Sequence, residues 1–486
     1  MTEFHPRGQD HQSVAPGARG APAADCARAH VVVIGSGVAG LAAAAALRPH
    51  VARLTLIDQD SFATGARLRP AQPQAAHAHA LLAGGAAALE RLFPGFSAQA
   101  RAAGSIRLRV RSQWRSCLRG RWNAPEDSGL VVLSQSRALV DGLLRGRVAA
   151  MPGVETLKAR VLDLVQDARG DISGVVLDQD GSRRFLAADL VVDASGRSGQ
   201  ADRWLSALGR VLPPAEVAKP DLRYLSAEFT RAARPEAEVS GWLNPAGAPA
   251  LCGAVLAPIE DGRWLVTAST RFEADPAPME DAGFLAFLHR LGDGRIAPLL
   301  QGERRLTEFS RYRVARTRLK RFDRIAAELP RGYLPVGDTI ATFNPVFGQG
   351  MSVAALQAER LGRAIATLHG AADWRAALRD TYLPGALEPA LWAWQSSLAS
   401  DRGYAQFEAS ASDEVDGLAR VFARAFMIST RDAQMREAVD RVLHLLAPPS
   451  SLLDHPAMTP AKTGPAAVPS HPHSLAPLAE QEGSAR

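Results

Sequence analysis

The stretch HVVVIGSGVAGLAAAAALRPHVARLTLIDQD, residues 30–60, constrains the fold of this chain more than any other. It opens with an apolar run at residues 31–34 that predicts a buried strand, and three glycines in G-x-G-x-x-G spacing follow. Residues 41–47 suit a helix, and RLTLID predicts a second strand. Because strand, glycine turn, helix and strand occur in this order, we expect a βαβ unit that begins a Rossmann-type domain.

The glycines of this unit predict a dinucleotide site. Glycine permits a tight turn and close backbone approach, and the helix behind it directs free N–H groups and a positive dipole end toward a pyrophosphate. The residues expected there are Gly35, Gly37, Val38, Ala39 and Gly40. Asp58 ends the second strand, about 20 residues on, where it can accept hydrogen bonds from an adenosine ribose. A glycine turn without a ligand is the alternative, and the complete βαβ context argues against it.

Composition and charge narrow the class of protein. The chain has 486 residues, 47% of them hydrophobic and 22% charged, which fits a soluble globular protein of about two domains. Cys26, Cys117 and Cys252 are far apart and form no C-x-x-C pair, so we expect no disulfide framework, no metal site and a cytoplasmic location. The net charge of +6 is dispersed, which argues against a nucleic-acid partner. No apolar run reaches the roughly 18 to 20 residues of a transmembrane segment.

The remaining pattern predicts an α/β protein with an inserted domain. Residues 155–199 alternate apolar and polar positions around an Asp180-Gly181 turn, which predicts a small antiparallel meander that ends in the sequence DASGR. LLAGGAAALERLFPG lacks a preceding strand, so we interpret it as a helix and expect a single dinucleotide. The predicted segments are a disordered arm (1–29), a nucleotide-binding domain in two parts (30–215 and 326–372), an antiparallel-sheet substrate domain (216–325), C-terminal helices (373–447) and a disordered tail (448–486).

A second unusual stretch, PVGDTIATFNPVFGQGMSVA at residues 335–354, predicts the other half of the site. A strand runs into Gly337 and Asp338, whose carboxylate is suited to the hydroxyls of a polyol chain. Asn344-Pro345 predicts a rigid turn. Gly348-Gln349-Gly350 then begins a helix whose N-terminus can stabilise negative charge on a flat ring system.

Taken together, these motifs resemble those of the FAD-dependent monooxygenases built like para-hydroxybenzoate hydroxylase. The likeness covers about residues 30–370 and rests on the glycine fingerprint with its aspartate, on DASGR, and on GD followed by FNPVFGQGM. Two further stretches, PQAAHAHALLAGGAAALERLFPGF and LSQSRALVDGLLRGRV, are similar to the branch that contains bacterial polyene epoxidases of polyether biosynthesis, with squalene epoxidase a more distant relative.

The resemblance implies FAD as the cofactor and assigns further residues to it. Arg137 would contact the phosphate and ribityl region, and Val161 would meet the adenine through its backbone. Asp338 would bind the ribitol chain. The residues implied at the isoalloxazine are Pro345, Gly348, Gln349, Gly350 and Met351.

The resemblance also implies the chemistry. In such enzymes reduced FAD reacts with O2 to a C4a-hydroperoxide that transfers one oxygen atom, by epoxidation or hydroxylation, while the protein supplies a dry, oriented pocket. No catalytic side chain is required, and we assign none. NADPH or NADH would supply the electrons, directly or through a separate flavin reductase, because DASGR replaces the Asp-Gly motif that serves the nicotinamide donor in aromatic hydroxylases. The apolar and aromatic central segment predicts a hydrophobic small-molecule substrate from secondary metabolism.

Three polar residues, Gln74, His77 and His79, occur in the epoxidase-like stretch. We expect them near the flavin or a substrate channel, with ordinary packing as the equally weighted alternative. A histidine pair spaced by two also suits a metal, but no third ligand clusters with it in the sequence.

Three other functions share the FAD signature. Flavin-dependent halogenases use a lysine after the first nucleotide-binding unit and a W-x-W-x-I-P motif, whereas this chain has no lysine before Lys158, and its only W-x-W, Trp392 to Trp394, continues as Gln-Ser-Ser. We interpret these tryptophans as helix packing residues. A reductase or dehydrogenase of a polyprenyl-like substrate is the second alternative, and a non-catalytic flavoprotein is the third.

Overall fold

The computed structural model describes residues 25–63, 65–118, 121–292 and 294–458. The helices are α1 (Val38–Leu47), α2 (Ala83–Leu92), α3 (Phe96–Ala102), α4 (Arg137–Ala149), α5 (Gln200–Ala207), α6 (Asp281–His289), α7 (Gly350–Ala366), α8 (Trp374–Asp401), α9 (Asp413–Ile428) and α10 (Ala433–Leu443). The strands are β1 (His30–Ile34), β2 (Arg53–Asp58), β3 (Ala80–Leu81), β4 (Ile106–Arg109), β5 (Trp114–Leu118), β6 (Arg121–Trp122), β7 (Val131–Ser134), β8 (Val154–Lys158), β9 (Arg160–Gln166), β10 (Ile172–Gln179), β11 (Ser182–Ala187), β12 (Leu190–Asp193), β13 (Ala215–Lys219), β14 (Leu222–Thr230), β15 (Gly241–Asn244), β16 (Cys252–Ile259), β17 (Arg263–Arg271), β18 (Ser310–Val314), β19 (Thr317–Lys320), β20 (Tyr333–Pro335), β21 (Ala341–Thr342) and β22 (Glu408–Ser410).

A five-stranded parallel sheet in the order β20-β12-β1-β2-β8 forms the centre of the nucleotide-binding part. Its middle strand, β1, is buried throughout, as a parallel sheet covered on both faces requires. Every residue of α1 except Ala39 is buried, because this alanine-rich helix packs tightly between the sheet and α7. The α/β fold class and the βαβ unit predicted from the sequence are confirmed.

The predicted meander is confirmed with one correction. Strands β9, β10 and β11 form a three-stranded antiparallel sheet, and both Asp180 and Gly181 have positive φ in its turn. The preceding strand β8, VETLK in the sequence, instead pairs in parallel with β2 and extends the central sheet. On this edge strand Val154 and Leu157 are partly buried and Glu155, Thr156 and Lys158 are exposed, so its local pattern does not by itself distinguish the parallel sheet from the meander.

Five strands of a mixed seven-stranded sheet, in the order β18-β14-β17-β16-β15-β5-β6, come from the region expected for the substrate domain, whereas β5 and β6 come from the segment expected for the nucleotide-binding domain. The sheet packs α6 against a second apolar core that contains Phe229, Trp264 and Phe284. Two smaller antiparallel sheets, β21-β19-β13-β22 and β3-β7-β4, complete the strands.

The C-terminal helices occur as predicted, and α8 carries both tryptophans of the W-x-W. Trp394 is fully buried and donates from Nε1 to Oε2 of Glu216 at 3.0 Å, while Trp392 is partly buried against the main core, so both are packing residues. Beyond α10, turns at Pro449–Leu452 and Pro456–Met458 bury Leu452 and Met458. Residues 1–24 and 459–486 of the expected arm and tail lie outside the described residues, and the division into domains stays a prediction. No helix among the described residues is both long and apolar enough to cross a membrane.

Candidate flavin and substrate site

A cavity of about 640 Å³ extends from the glycine turn after β1 to the seven-stranded sheet. Its lining includes Gly37 and Val161 from the nucleotide-binding part, Gly350 at the start of α7, and Tyr224 and Thr267 from the seven-stranded sheet. This volume is in the range of sites that enclose a small molecule or cofactor. The two motifs that the sequence analysis joined into one site therefore lie on one cavity.

The glycine turn is packed so closely that side chains have no room. Gly35 has φ of +98°, and a Cβ on it would lie 2.5 Å from the carbonyl oxygen of Ala194. A Cβ on Gly40 would lie 1.8 Å from the oxygen of Gly35. The helix α1 then begins at Val38, and no side chain caps it. Its first N–H groups are therefore left without a capping partner on the cavity side of the turn.

Asp58 lies at the end of β2 and has more partners than the sequence indicated. Its Oδ2 accepts from the backbone N and the Oγ of Ser36 at 2.6 and 2.7 Å, and it forms an ion pair with Arg69 at 3.1 Å. Burial alone would raise the pKa of Asp58, but the Arg69 charge and the donors of Ser36 and Asp60 hold the pKa below its ordinary value. The carboxylate is therefore ionised, as an acceptor for ribose hydroxyls must be. Arg69, which also lines the cavity, was missed by the sequence analysis.

Arg137 begins α4 as predicted. Ser136 caps this helix by accepting from the backbone N of Leu139 at 3.1 Å, and the Nε of Arg137 pairs with Asp141 at 2.7 Å one turn later. This pairing holds the guanidinium of Arg137 against the cavity wall. Val161, on β9, lines the same cavity.

Asp338 lies in a 3-10 turn, Gly337–Thr339, and not in the strand that the sequence predicted, because β20 ends three residues earlier at Pro335. The change of direction needs Gly337, which has φ of +67° and whose Cβ would lie 2.5 Å from the Cβ of Ala39. Asp338 lines the cavity and pairs with the Nε of Arg197 at 3.3 Å. Arg197 is the arginine of DASGR, so the two motifs meet at this ion pair.

The loop before α7 is held by a buried polar cluster. The Oδ1 of Asn344 accepts from the N of Val346 at 3.1 Å, and its Nδ2 donates to the carboxylate of Asp401, whose two oxygens lie 2.7 and 2.9 Å away. Asp401 in turn pairs with Arg271 at 2.9 Å, and neither charge is exposed by more than 2%. Helix α7 begins at Gly350 as predicted and ends at Ala366.

Gln349 is the N-cap residue of α7 and is 2% exposed. Its Nε2 donates to the carbonyl oxygen of Leu443 at 3.1 Å, which ties the start of α7 to the end of α10. Its Oε1 is buried with no partner within the described residues.

The two histidines of the epoxidase-like stretch line the cavity together with Gln74. His77 is 3% exposed, and its Nδ1 lies 2.7 Å from the Oγ of Ser226. His79 lies 2.7 Å, at its Nδ1, from the carbonyl oxygen of His77. Burial lowers the pKa of His77 to about 3 and that of His79 to about 4, with the neighbouring positive charges adding to the effect, so both imidazoles are neutral.

Of the residues that the sequence analysis assigned to the site, all line the cavity except Gly40 and Gly337, which shape its walls from behind. The sequence analysis missed Arg197, Tyr224, Tyr312 and Thr267, which also line it. Tyr224 on β14 lies directly opposite Tyr312 on β18 in the sheet register. No sequence signal pairs these residues, because the pairing depends on strands far apart in the chain.

The cavity fits FAD on structural grounds. Its walls include the close-packed glycine turn, the ionised Asp58 at the end of β2, the carboxylate of Asp338 and the start of α7. These are the groups suited to a pyrophosphate, a ribose, a polyol and a flat ring in that order.

Family models match two parts of the chain. Residues 33–88 match a model described as an NAD(P)-binding Rossmann-like domain, and residues 131–203 match one described as tryptophan halogenase.

Solved structures with the same fold include a triple mutant of the flavin-dependent brominase Bmp2, with 18% identity and a TM-score of 0.61 over 87% of this chain and 95% of that one. PqsL, a probable FAD-dependent monooxygenase from Pseudomonas aeruginosa, aligns with 18% identity and a TM-score of 0.55 over 77% and 97% of the two chains. The fold is thus shared with a flavin-dependent brominase and a probable FAD-dependent monooxygenase, and its first part is Rossmann-like.

One curated relative defines the family. Protein Rv3254 of Mycobacterium tuberculosis is 31% identical over 352 residues, which cover 69% of this chain and 73% of the relative. The chain belongs to the family of Protein Rv3254.

Proposed function

We propose that this protein is an FAD-dependent monooxygenase that inserts one oxygen atom from O2 into a largely hydrophobic small molecule. Within this class we assign it to the epoxidase-like branch that the sequence resembles, and we place it in the cytoplasm and in secondary metabolism. NADPH or NADH supplies the electrons, directly or through a separate flavin reductase. Apart from Gly40 and Gly337, the residues that we predict at the cofactor line the cavity.

The observation that supports this proposal best is the continuity of the cavity. One end is a dinucleotide cradle, and the other is a wall of the seven-stranded sheet that presents Tyr224, Leu243, Val255 and Thr267. The same cavity is lined by Gly350 and Met351 at the start of α7, where we expect the ring of the cofactor. A monooxygenase would require such a shared cavity, because cofactor and substrate must meet in one dry pocket.

The protein's own contribution is binding, orientation and exclusion of water. FAD, when bound and reduced, supplies the oxygen activation, which no side chain can perform. The first N–H groups of α1 would bind the pyrophosphate of FAD, and Asp58 and Asp338 would accept hydrogen bonds from hydroxyls of the ribose and ribitol. The start of α7 would stabilise negative charge on the reduced ring, and the cluster of Asn344 and Asp401 keeps the loop before α7 in place. The apolar part of the sheet wall holds the substrate and keeps the reaction dry.

Halogenation is the competing function, and the family match at residues 131–203 favours it. The halogenase lysine, however, has no counterpart in the cavity. Of the lysines within the described residues, Lys158, Lys219 and Lys320, none lines it. Lys320 is committed to Asp202 at 2.6 Å, and Lys219 pairs with Glu408 on the surface. We therefore rank oxygen transfer to an organic substrate above halide oxidation.

The reaction with oxygen distinguishes these functions. The purified flavoprotein is reduced with dithionite without air and mixed with oxygenated buffer in a stopped-flow spectrometer. We expect a transient spectrum that differs from those of both reduced and oxidised flavin, and free FAD treated in the same way serves as the control. Direct return to oxidised flavin with release of peroxide would contradict the monooxygenase and favour a reductase or dehydrogenase.

A second experiment distinguishes a monooxygenase from a halogenase. The same reaction is repeated with bromide and phenol red, an electron-rich dye that changes colour on bromination. We expect no bromination above the free-FAD control. Bromination by the protein, lost when bromide is omitted, would replace our proposal with halogenation.

A further inference from the structure

His77 is a buried polar residue at the junction of the two halves of the cavity. Its ring lies between Tyr224 and Tyr312, with both ring centroids 5.6 Å away. Tyr312 accepts a hydrogen bond from the Nη1 of Arg197 at 2.6 Å, and Arg197 pairs with Asp338. His77 is therefore one aromatic ring away from the groups expected at the cofactor, on the side of the seven-stranded sheet.

A hydrogen-bond chain determines which nitrogen of His77 carries the proton. The Oγ1 of Thr267 accepts from the backbone N of Ala78 at 2.9 Å and lies 2.7 Å from the Oγ of Ser226. The hydroxyl proton of Thr267 then goes to Ser226, and Ser226 gives its own proton to the Nδ1 of His77 at 2.7 Å. The reverse direction would leave the hydroxyl proton of Thr267 without an acceptor.

This direction leaves the proton of the neutral imidazole on Nε2. Burial holds the pKa of His77 far below its ordinary value, with His79 adding to the effect, so the ring does not gain a second proton near neutral pH. The Nε2 atom is buried and has no partner within the described residues. A buried donor without a partner is costly, which indicates that something absent from the protein chain accepts from it.

We propose that the Nε2–H of His77 binds a neutral oxygen atom of the substrate, a carbonyl, ether or hydroxyl oxygen. This inference rests on the proposed function and makes the substrate an oxygenated compound and not a pure hydrocarbon polyene. The acceptor is assigned to the substrate because His77 is held entirely by the seven-stranded sheet, through Ser226 on β14 and through Tyr224 and Tyr312. A neutral acceptor matches a neutral imidazole, since the charge of Arg197 is already balanced by Asp338.

His79 gives the site a complementary group. Its Nδ1 faces the carbonyl oxygen of His77, which can only accept, so Nδ1 carries the proton and Nε2 is a bare acceptor. His77 and His79 therefore present opposite hydrogen-bonding polarity to the same cavity. A substrate without an oxygen atom would leave the His77 donor unpaired, and we expect it to bind at least about tenfold more weakly than an isostere that has one.

The first test is the tautomer of His77 in the holoprotein labelled with 15N-histidine. We expect a neutral ring at pH 7 whose proton is on Nε2. The signals of His77 are identified because they are absent from the spectrum of His77→Phe. In Ser226→Ala the donor to Nδ1 is lost, and we expect the Nδ1–H form to appear. A charged ring, or an Nδ1–H tautomer in the unaltered protein, would overturn the proposal.

The second test uses two probes of the same shape, 2-acetylnaphthalene and 2-isopropenylnaphthalene, in which a carbonyl oxygen is replaced by a methylene group. Binding to the holoprotein is followed by calorimetry and by the flavin absorbance. We expect the ketone to bind about tenfold more tightly, a preference abolished in His77→Phe and partly retained in His77→Gln, whose amide can still donate. Ser226→Ala is expected to reduce the preference, with no further effect in the His77→Phe background.

Four outcomes of the binding test would overturn the inference. The first two are equal affinity for the two probes and no binding of the ketone, and the third is a preference that survives His77→Phe. The fourth is weaker FAD binding in His77→Phe without a change in probe binding, which would assign the acceptor to the cofactor. His444→Phe, which alters another buried histidine outside the cavity, is the matched control and should leave the preference unchanged. A protein that prefers the ketone through His77 but gives no transient with oxygen would contradict the proposed function alone.

Discussion

The cluster of Arg271, Asp401 and Asn344 yields the sharpest prediction about how the site is held together. It joins the end of β17, the end of α8 and the loop before α7, three parts of the chain that meet behind the cavity. We predict that Asp401→Asn destabilises the protein by about 3–5 kcal/mol, because it leaves the guanidinium of Arg271 buried without a counter-charge.

The magnitude follows from the geometry. Two unit charges 2.9 Å apart attract by about 6 kcal/mol at an effective dielectric constant of about 20. Burying each ion costs several kcal/mol, so the pair as a whole contributes little to the free energy of folding, whereas one buried charge alone is strongly destabilising. Burial raises the pKa of Asp401 even though Arg271 and Asn344 act to lower it, which shows that desolvation is large here.

The assay is urea unfolding followed by tryptophan fluorescence, with FAD affinity as a second reading. Glu408→Gln breaks an ion pair with Lys219 that also joins distant strands but is exposed to solvent, and we expect it to leave the stability almost unchanged. The double variant Arg271→Met with Asp401→Leu removes both charges and should recover most of the stability lost in Asp401→Asn. FAD affinity should fall in Asp401→Asn, because the loop before α7 loses its anchor.

Two results would refute this reasoning. If Asp401→Asn costs as little as Glu408→Gln, the pair is not electrostatically buried as the structure shows. If the double variant is no more stable than Asp401→Asn, the loss comes from packing and not from an uncompensated charge.

Two further predictions concern the glycine turn and pH. Gly40→Ala places a Cβ 1.8 Å from the oxygen of Gly35, so we expect a loss of about 1–3 kcal/mol and more than tenfold weaker FAD binding by fluorescence titration. Gly417→Ala, in α9 with open space around it, should instead stabilise by up to about 1 kcal/mol. Burial lowers the pKa of His444 to about 4. Between about pH 6.5 and pH 4 this residue is therefore protonated in the unfolded chain but not in the folded protein. As the pH is lowered through this range, the free energy of unfolding falls by about 1.4 kcal/mol per pH unit because of this group. Urea unfolding at pH 6 and pH 5 should therefore show a shallower decline in His444→Gln, and an unchanged decline would contradict the assigned protonation.

The site could be predicted from the sequence where its contacts are local. The glycine turn, Asp58 and the start of α7 were all located, because the spacing of glycines, the strand end and the helix signal lie within a few residues of one another. The same holds for Arg137, whose capping serine directly precedes it. Each of these features depends on a local backbone geometry that only certain residue types allow, so it can be recognised in the sequence.

The second wall of the site was decided by tertiary structure. His77 meets Ser226 across 149 positions of sequence, and Tyr224 meets Tyr312 only because β14 and β18 pair in one register. The strand β8 joined the central sheet and not the meander for the same reason, because its own short sequence does not specify its partner. Local propensity determined that this chain contains a dinucleotide turn and a second helix start. Only the pairing of distant strands decided which polar groups of the seven-stranded sheet line the cavity, because register depends on the packing of whole sheets and is not encoded by the individual residues.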